Sequence, residues 1–161
     1  MMVRIENLQE KKLIGMNKEM SFKEDKTYAL WNGFMKRRSA IKNRIDSNFI
    51  SMNVYNKDHT PDTIFKKWAV VEVENFNKVP DEMLTYALQE GLYAVFLHKG
   101  PASTFYVTQK YIFEDWLPNS QYELDHREHF EVLKENYRPD DPNAEEEVWI
   151  PIKPKSKKNG E

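Results

Sequence analysis

The run His129-Phe130-Glu131-Val132-Leu133 sets one acid inside an apolar stretch. In an extended chain, neighbouring side chains point to opposite faces. Phe130 and Val132 therefore share one side, and Glu131 and Leu133 the other. If both faces are covered, Glu131 is a carboxyl in an apolar setting, and burial raises the pKa of such a group. It can then hold a ligand cation, or serve as a general acid or base. If the second face is solvent, it is an ordinary surface acid. Periodicity alone leaves both open.

Four tryptophans, eight tyrosines and nine phenylalanines exceed what the core of a 161-residue chain requires. Tyrosine and tryptophan add a polar handle to an apolar face, which suits a pocket wall, although core packing is the ordinary role of any single ring. His126 and His129 stand three apart in Asp125-His126-Arg127-Glu128-His129. That spacing binds a metal on a helix, but this stretch leads into a strand and has no obvious third ligand, so a polar turn and no metal are expected. The basic cluster Lys36, Arg37, Arg38, Lys42 and Arg44 reads as the solvated face of a helix. Lysine plus arginine total 24 and aspartate plus glutamate 26, a net charge of −2. With no helix-turn-helix, zinc-finger or RNA-binding aromatic pattern, direct DNA binding is not expected.

The chain has no cysteine, which removes disulfides, iron–sulfur clusters, thiolate zinc sites and cysteine nucleophiles. Nucleophile-elbow, P-loop, dinucleotide-binding and zincin patterns are missing, and nothing calls for a cofactor. The N-terminal MMVRIENLQEKK has no apolar core of signal-peptide length, and no stretch approaches 18 apolar residues. A soluble, cytoplasmic protein without a membrane partner is the expectation. The charged ending reads as a flexible basic tail over residues 154–161.

The elements that must position these residues recur in order. Val3 to Phe22 alternates as one bent strand or two short ones, with Gly15 a possible bulge. Ser21 and Glu24 have capping-box spacing ahead of a helix carrying Tyr28, Trp31, Phe34, Met35, Ile41 and Ile45. Strands follow at Phe49–Tyr55 and Trp68–Val73. Met83 to Lys99 is again a strand region, ended by Gly100-Pro101. Ser103 or Thr104 starts a helix with Phe105, Ile112, Phe113 and Trp116, which Pro118-Asn119-Ser120 stops, since the residue before proline avoids the helical region. Strands around HFEVL and EVWIPI close the chain. Strand–helix–strand–strand thus appears twice, in halves of about 1–80 and 81–153, offset by 77–80 residues. This order predicts an α+β fold: a pseudo-twofold duplicated unit with antiparallel sheet, two main helices and a central ligand cleft.

Three segments in order resemble a known family: GLYAVFLHKGPAS, WLPNSQYELDHREHFEVL and EEEVWIPIK. They are similar to the GyrI-like small-molecule-binding domain, which is also the effector-binding domain of AraC-type and MerR-type multidrug regulators. The likeness is strongest from Gly91 to Lys153 and extends to residues 1–153 through the doubled element order. It implies a pocket between the halves, with Glu131 paired to an amphipathic aromatic cation. Phe105 and Tyr28 or Trp31 match aromatic positions at the helix starts, and Tyr55, Trp68 and Trp149 are further wall candidates. No DNA-binding segment is recognisable at either end, so a stand-alone binding domain is expected. The family also includes hydrolases that open strained cyclopropane rings with a glutamate and a tyrosine, in which case Glu131 is catalytic. An inhibitor module acting on a protein such as gyrase, or a tetrapyrrole-binding relative, are the remaining alternatives.

Overall fold

The computed structural model describes residues 2–156. Its nine strands are β1 (Val3–Leu8), β2 (Lys11–Met20), β3 (Phe49–Val54), β4 (Phe65–Val73), β5 (Leu84–Leu88), β6 (Gly91–Lys99), β7 (Tyr122–Leu124), β8 (His129–Leu133) and β9 (Glu145–Pro154). Helix α1 spans Thr27–Arg37. Helix α2 (Phe105–Lys110) continues through a π-wound stretch, Tyr111–Trp116, into a last turn α3 (Leu117–Asn119). All strand pairs are antiparallel, in the order β1-β6-β9-β8-β3-β4-β2-β5, with β7 on the end of β9.

That order carries the expected duplication. β2, β3 and β4 correspond to β6, β8 and β9, and the seam is the β3–β8 pair, where Ser51 faces Glu131. The starts Lys11 and Gly91, and Phe49 and His129, are each 80 residues apart. The last strand pair is offset by 79: Ala69 and Val71 face α1, as Val148 and Ile150 face α2. Trp68 therefore corresponds to Glu147 and not to Val148, which lies on the other face.

The edge strands are exchanged between halves. Only Gln9 and Glu10 separate β1 from β2, yet these lie at opposite ends of the sheet order; Gln89 and Glu90 link β5 to β6 in the same way. Two residues span at most about 10 Å. The sheet must therefore curl until its ends meet. Inside the curl lie Leu8, Leu13, Ile50, Met52, Trp68, Val70, Leu88, Tyr93, Val95, Phe130 and Trp149, a core with no helix over it. The outer face carries α1 over β2–β4 and α2 over β6 and β9. Gly15 is no bulge: its register with Val70 is regular. A side chain there would run into the Ala69 carbonyl and stand 2.8 Å from Val70 Cα, so the glycine lets β2 approach β4.

Several local expectations are corrected. Ser21 and Glu24 close a turn, Glu24 N–H donating to Ser21 Oγ at 3.1 Å, while the helix begins at Thr27, whose N–H donates to Asp25 Oδ1 at 2.8 Å. Helix α1 ends at Arg37, so Arg38, Lys42 and Arg44 of the basic cluster lie beyond it. The second helix does stop at Pro118-Asn119-Ser120, but Leu117 before the proline stays helical. The π winding, with Leu117 N–H bonded to Ile112 O, brings the chain into a final turn where proline needs no donor. At the expected tail, Pro154 closes β9 and Lys155 N–H bonds Gln121 O at 3.0 Å, and residues 157–161 lie outside those described. Among the described residues, no helix is long and apolar enough to cross a membrane.

Candidate ligand-binding site

On the outer face the sheet is uncovered between α1 and α2, directly over the β3–β8 seam. Alternation decides what looks into that gap. From β3 it is Phe49, Ser51 and Asn53, from β8 Glu131 and Leu133, from β4 Lys67, and from β9 Glu146. The gap is a two-lobed cavity. An upper lobe of about 610 Å³ lies against α1, with Tyr28, Trp31 and Met35 on its wall. A lower lobe of about 450 Å³ carries His59, His129, Ile112 and Phe113. Phe22, Ser51, Asn53, Tyr55, Phe105, Gln109 and Glu131 line both, so Glu131 stands where the lobes join.

The walls are aromatic and mutually braced. Trp31 meets Phe34 and Phe49 edge-on at 5.8 and 6.1 Å. Tyr55 lies 5.1 Å from Phe65, 5.0 Å from His129 and 4.4 Å from His59. Asn53 Nδ2 donates to Tyr55 Oη at 2.7 Å, while Asn53 Oδ1 is buried with no partner among the described residues. Burial pushes the Tyr55 phenol up to about 12, so it stays protonated. His129 is pushed down to about 4 by burial, then by the charges of His59, His126 and Arg127, and His59 is lowered by burial. His59 and His129 are thus neutral at physiological pH.

At the floor, Glu131 is half-buried and lines both lobes, and Glu146 is 5% exposed. Burial, then the neighbouring Glu146, raises the Glu131 carboxyl to about 8, while Lys67 pulls it the other way. Glu146 is raised too, chiefly by burial, and it lines the same lobe as Tyr137 and Glu131. Two carboxyls lining one cavity floor cannot both ionise cheaply, so they share a proton.

Of the residues singled out from sequence, Glu131, Tyr28, Trp31, Tyr55 and Phe105 converge on this cavity, Tyr28 at its mouth with 84% exposure. Trp68 does not: it lies inside the curl, 5.1 Å from Tyr86. Trp149 borders the lower lobe through its strand, but its ring stacks on Phe130 inside the curl, at 5.1 Å and 17°. Both corrections follow from strand parity, since each is one residue out of phase with the cavity face. Lys67, Glu146, Tyr137, Asn53 and Phe22 were not anticipated. Lys67 shares parity with Phe65, Ala69 and Val71, which was the available signal; Glu146 was hidden in a run of three glutamates.

A curled antiparallel sheet with two helices parted over a duplicated seam, and a cavity in the parting, defines a ligand-binding α+β domain. The family model "GyrI-like small molecule binding domain" matches residues 1–153, and the chain belongs to that family. A search of curated proteins finds no match. Among solved structures, SAV2435 bound to tetraphenylphosphonium is similar with a TM-score of 0.72 at 13% identity, covering 95% of this chain and 94% of that one. The C-terminal domain of EcmrR gives 0.71 at 13%, covering 95% and 98%. A hydrolase encoded by lin2189 from Listeria innocua gives 0.59 at 9%, covering 94% and 91%. At these identities the likeness concerns the fold.

Proposed function

We propose that this GyrI-like domain binds amphipathic aromatic cations, with the charge at Glu131 and the rings between Trp31, Tyr55 and Phe105. The observation that carries this reading is the carboxyl pair Glu131–Glu146 at the floor of an aromatic cavity. A buried carboxylate without a partner is costly. A cation beside it removes that cost, and the rings add about 0.5–2 kcal/mol of cation–π attraction. The buried Asn53 Oδ1 offers an acceptor to a ligand N–H or O–H. The tetraphenylphosphonium on SAV2435 is a ligand of this chemical type and supports the reading by analogy. Aromatic walls accept many flat shapes, so broad specificity is expected.

The test is titration with tetraphenylphosphonium and with neutral triphenylphosphine oxide, followed by tryptophan fluorescence. Wild type binds the cation in the micromolar range, about −8 kcal/mol. Glu131→Gln weakens the cation by about 1.5–3 kcal/mol, the range for a hydrogen bond to a charged group, and the neutral compound much less. Equal losses on both ligands would show that the charge is irrelevant.

The cluster Tyr137, Glu146 and Glu131 supports a second reading, hydrolysis, because it sets a phenol and two carboxyls on one cavity wall. Consumption of a strained cyclopropane electrophile by wild type, abolished in Glu131→Gln, would place hydrolysis first. Binding of that compound without turnover keeps the binding reading ahead.

A further inference from the structure

Lys67 is a cation that the cavity already contains. It projects from β4 on the face of Phe65, Ala69 and Val71 and lines the upper lobe with Glu131 and Glu146. Its Nζ donates to Thr27 Oγ1 at 3.1 Å, which holds it at the foot of α1. From there its charge favours ionisation of Glu131, Glu146 and Asp25. Lys67 and Glu146 occupy corresponding positions of the two halves, 79 residues apart, on strands that flank the seam. The duplicated scaffold thus presents opposite charges at equivalent places.

The other charged or titratable groups facing Glu131 divide by element. Glu146 comes from β9, Tyr137 from the segment before it, Tyr55 from the end of β3, and His98, which acts at longer range, from β6. Lys134, Glu135 and Asp25 line the rim, where they are exposed to water.

Charge can then be counted. In the empty cavity, two carboxyls sharing a proton carry one negative charge, which Lys67 balances. A monocation enters as that proton leaves for solvent. Two carboxylates then face Lys67 and the ligand, and the site is neutral again. A second ligand charge finds no further carboxylate at the floor, where an unpaired charge is disfavoured, and the rim acids Asp25 and Glu135 stand in water, which screens them.

We propose that Lys67 sets the charge capacity of the cavity, so that the site selects monocations over dications of the same ring system. This rests on the cation-binding reading above. Without Lys67, the two carboxyls are free for two ligand charges, and the preference turns toward the dication.

Ethidium and propidium test this, because they share a phenanthridinium ring and propidium adds a quaternary ammonium. Dissociation constants are read from dye fluorescence at neutral pH and moderate salt. Wild type binds ethidium more tightly. Lys67→Met, which keeps the length of the stem, shifts the ratio of the two constants toward propidium by about tenfold or more. Lys67→Gln does the same, and Lys67→Arg keeps the wild-type ratio. An unchanged ratio in Lys67→Met and Lys67→Gln, or equal gains or losses for both dyes, overturns the inference while ethidium binding stands. Failure of wild type to bind ethidium overturns the cation reading and this inference together.

Discussion

Glu131 is placed where its partner from the other half is Ser51, and the two face each other across the seam. Its carboxyl keeps its proton to about 8, against an ordinary value of 4.5. Between those values the folded protein binds more protons than the unfolded chain. Stability of the empty protein therefore falls as pH rises through the window. The proposed cation binding would need the ionised carboxyl and run the other way. Affinity for tetraphenylphosphonium should rise from about pH 6.5 to about 8, by up to about tenfold per pH unit for one proton released. His59 and His129, both held neutral by burial, leave that slope to the carboxyls. Titrations across the window, with calorimetry in two buffers of different ionisation enthalpy, would measure it. A flat profile with no proton release would sink the exchange of proton for ligand.

At the scale of elements, parity sorts two tryptophans that look alike in sequence. Trp68 belongs to β4 and points into the curl at 6% exposure, whereas Trp31 belongs to α1 and walls the cavity. Trp68→Ala should cost about 3–5 kcal/mol of stability, as for a large ring lost from a packed core. It should leave dye affinity per folded molecule nearly unchanged. Trp31→Ala should weaken the dye by about 0.5–2 kcal/mol, the range of a lost cation–π partner, with a smaller loss of stability. Urea denaturation and dye titration on the same preparations separate the two. If Trp68→Ala weakened the dye as much as Trp31→Ala does, the placement of the site on the outer face would be wrong.

For the whole molecule, the short links β1–β2 and β5–β6 tie each half to the far edge of the other, so neither half has a complete sheet alone. The cavity likewise draws on α1, β3 and β4 from one half and α2, β8 and β9 from the other. Heat unfolding should accordingly be one cooperative transition, and a ligand should raise its midpoint. At 100 times the dissociation constant the stabilisation is about 2.7 kcal/mol. Scanning calorimetry with and without tetraphenylphosphonium would check this. Two separable transitions, with the ligand moving only one, would show that the halves fold apart.

The sequence by itself determined the doubled element order, the antiparallel α+β class and the parity of HFEVL, because these follow from local period and turn residues. It also carried the family likeness, through GLYAVFLHKGPAS and EEEVWIPIK, and with it the expectation that Glu131 faces the cavity, which it lines. Strand parity was legible within a strand but not between strands. Nothing in Trp68-Ala69-Val70-Val71 or Val148-Trp149-Ile150 says which face meets a helix, since both faces of the curled sheet are apolar. Only the tertiary structure decided that Trp68 and the Trp149 ring lie in the curl. It alone brought Lys67, Glu146 and Tyr137 to Glu131, from segments 64, 15 and 6 residues away. The physical reason is that burial, charge coupling and a shared proton are properties of distance in space. That distance was set by the exchange of edge strands and the seam between halves, which no local pattern encodes.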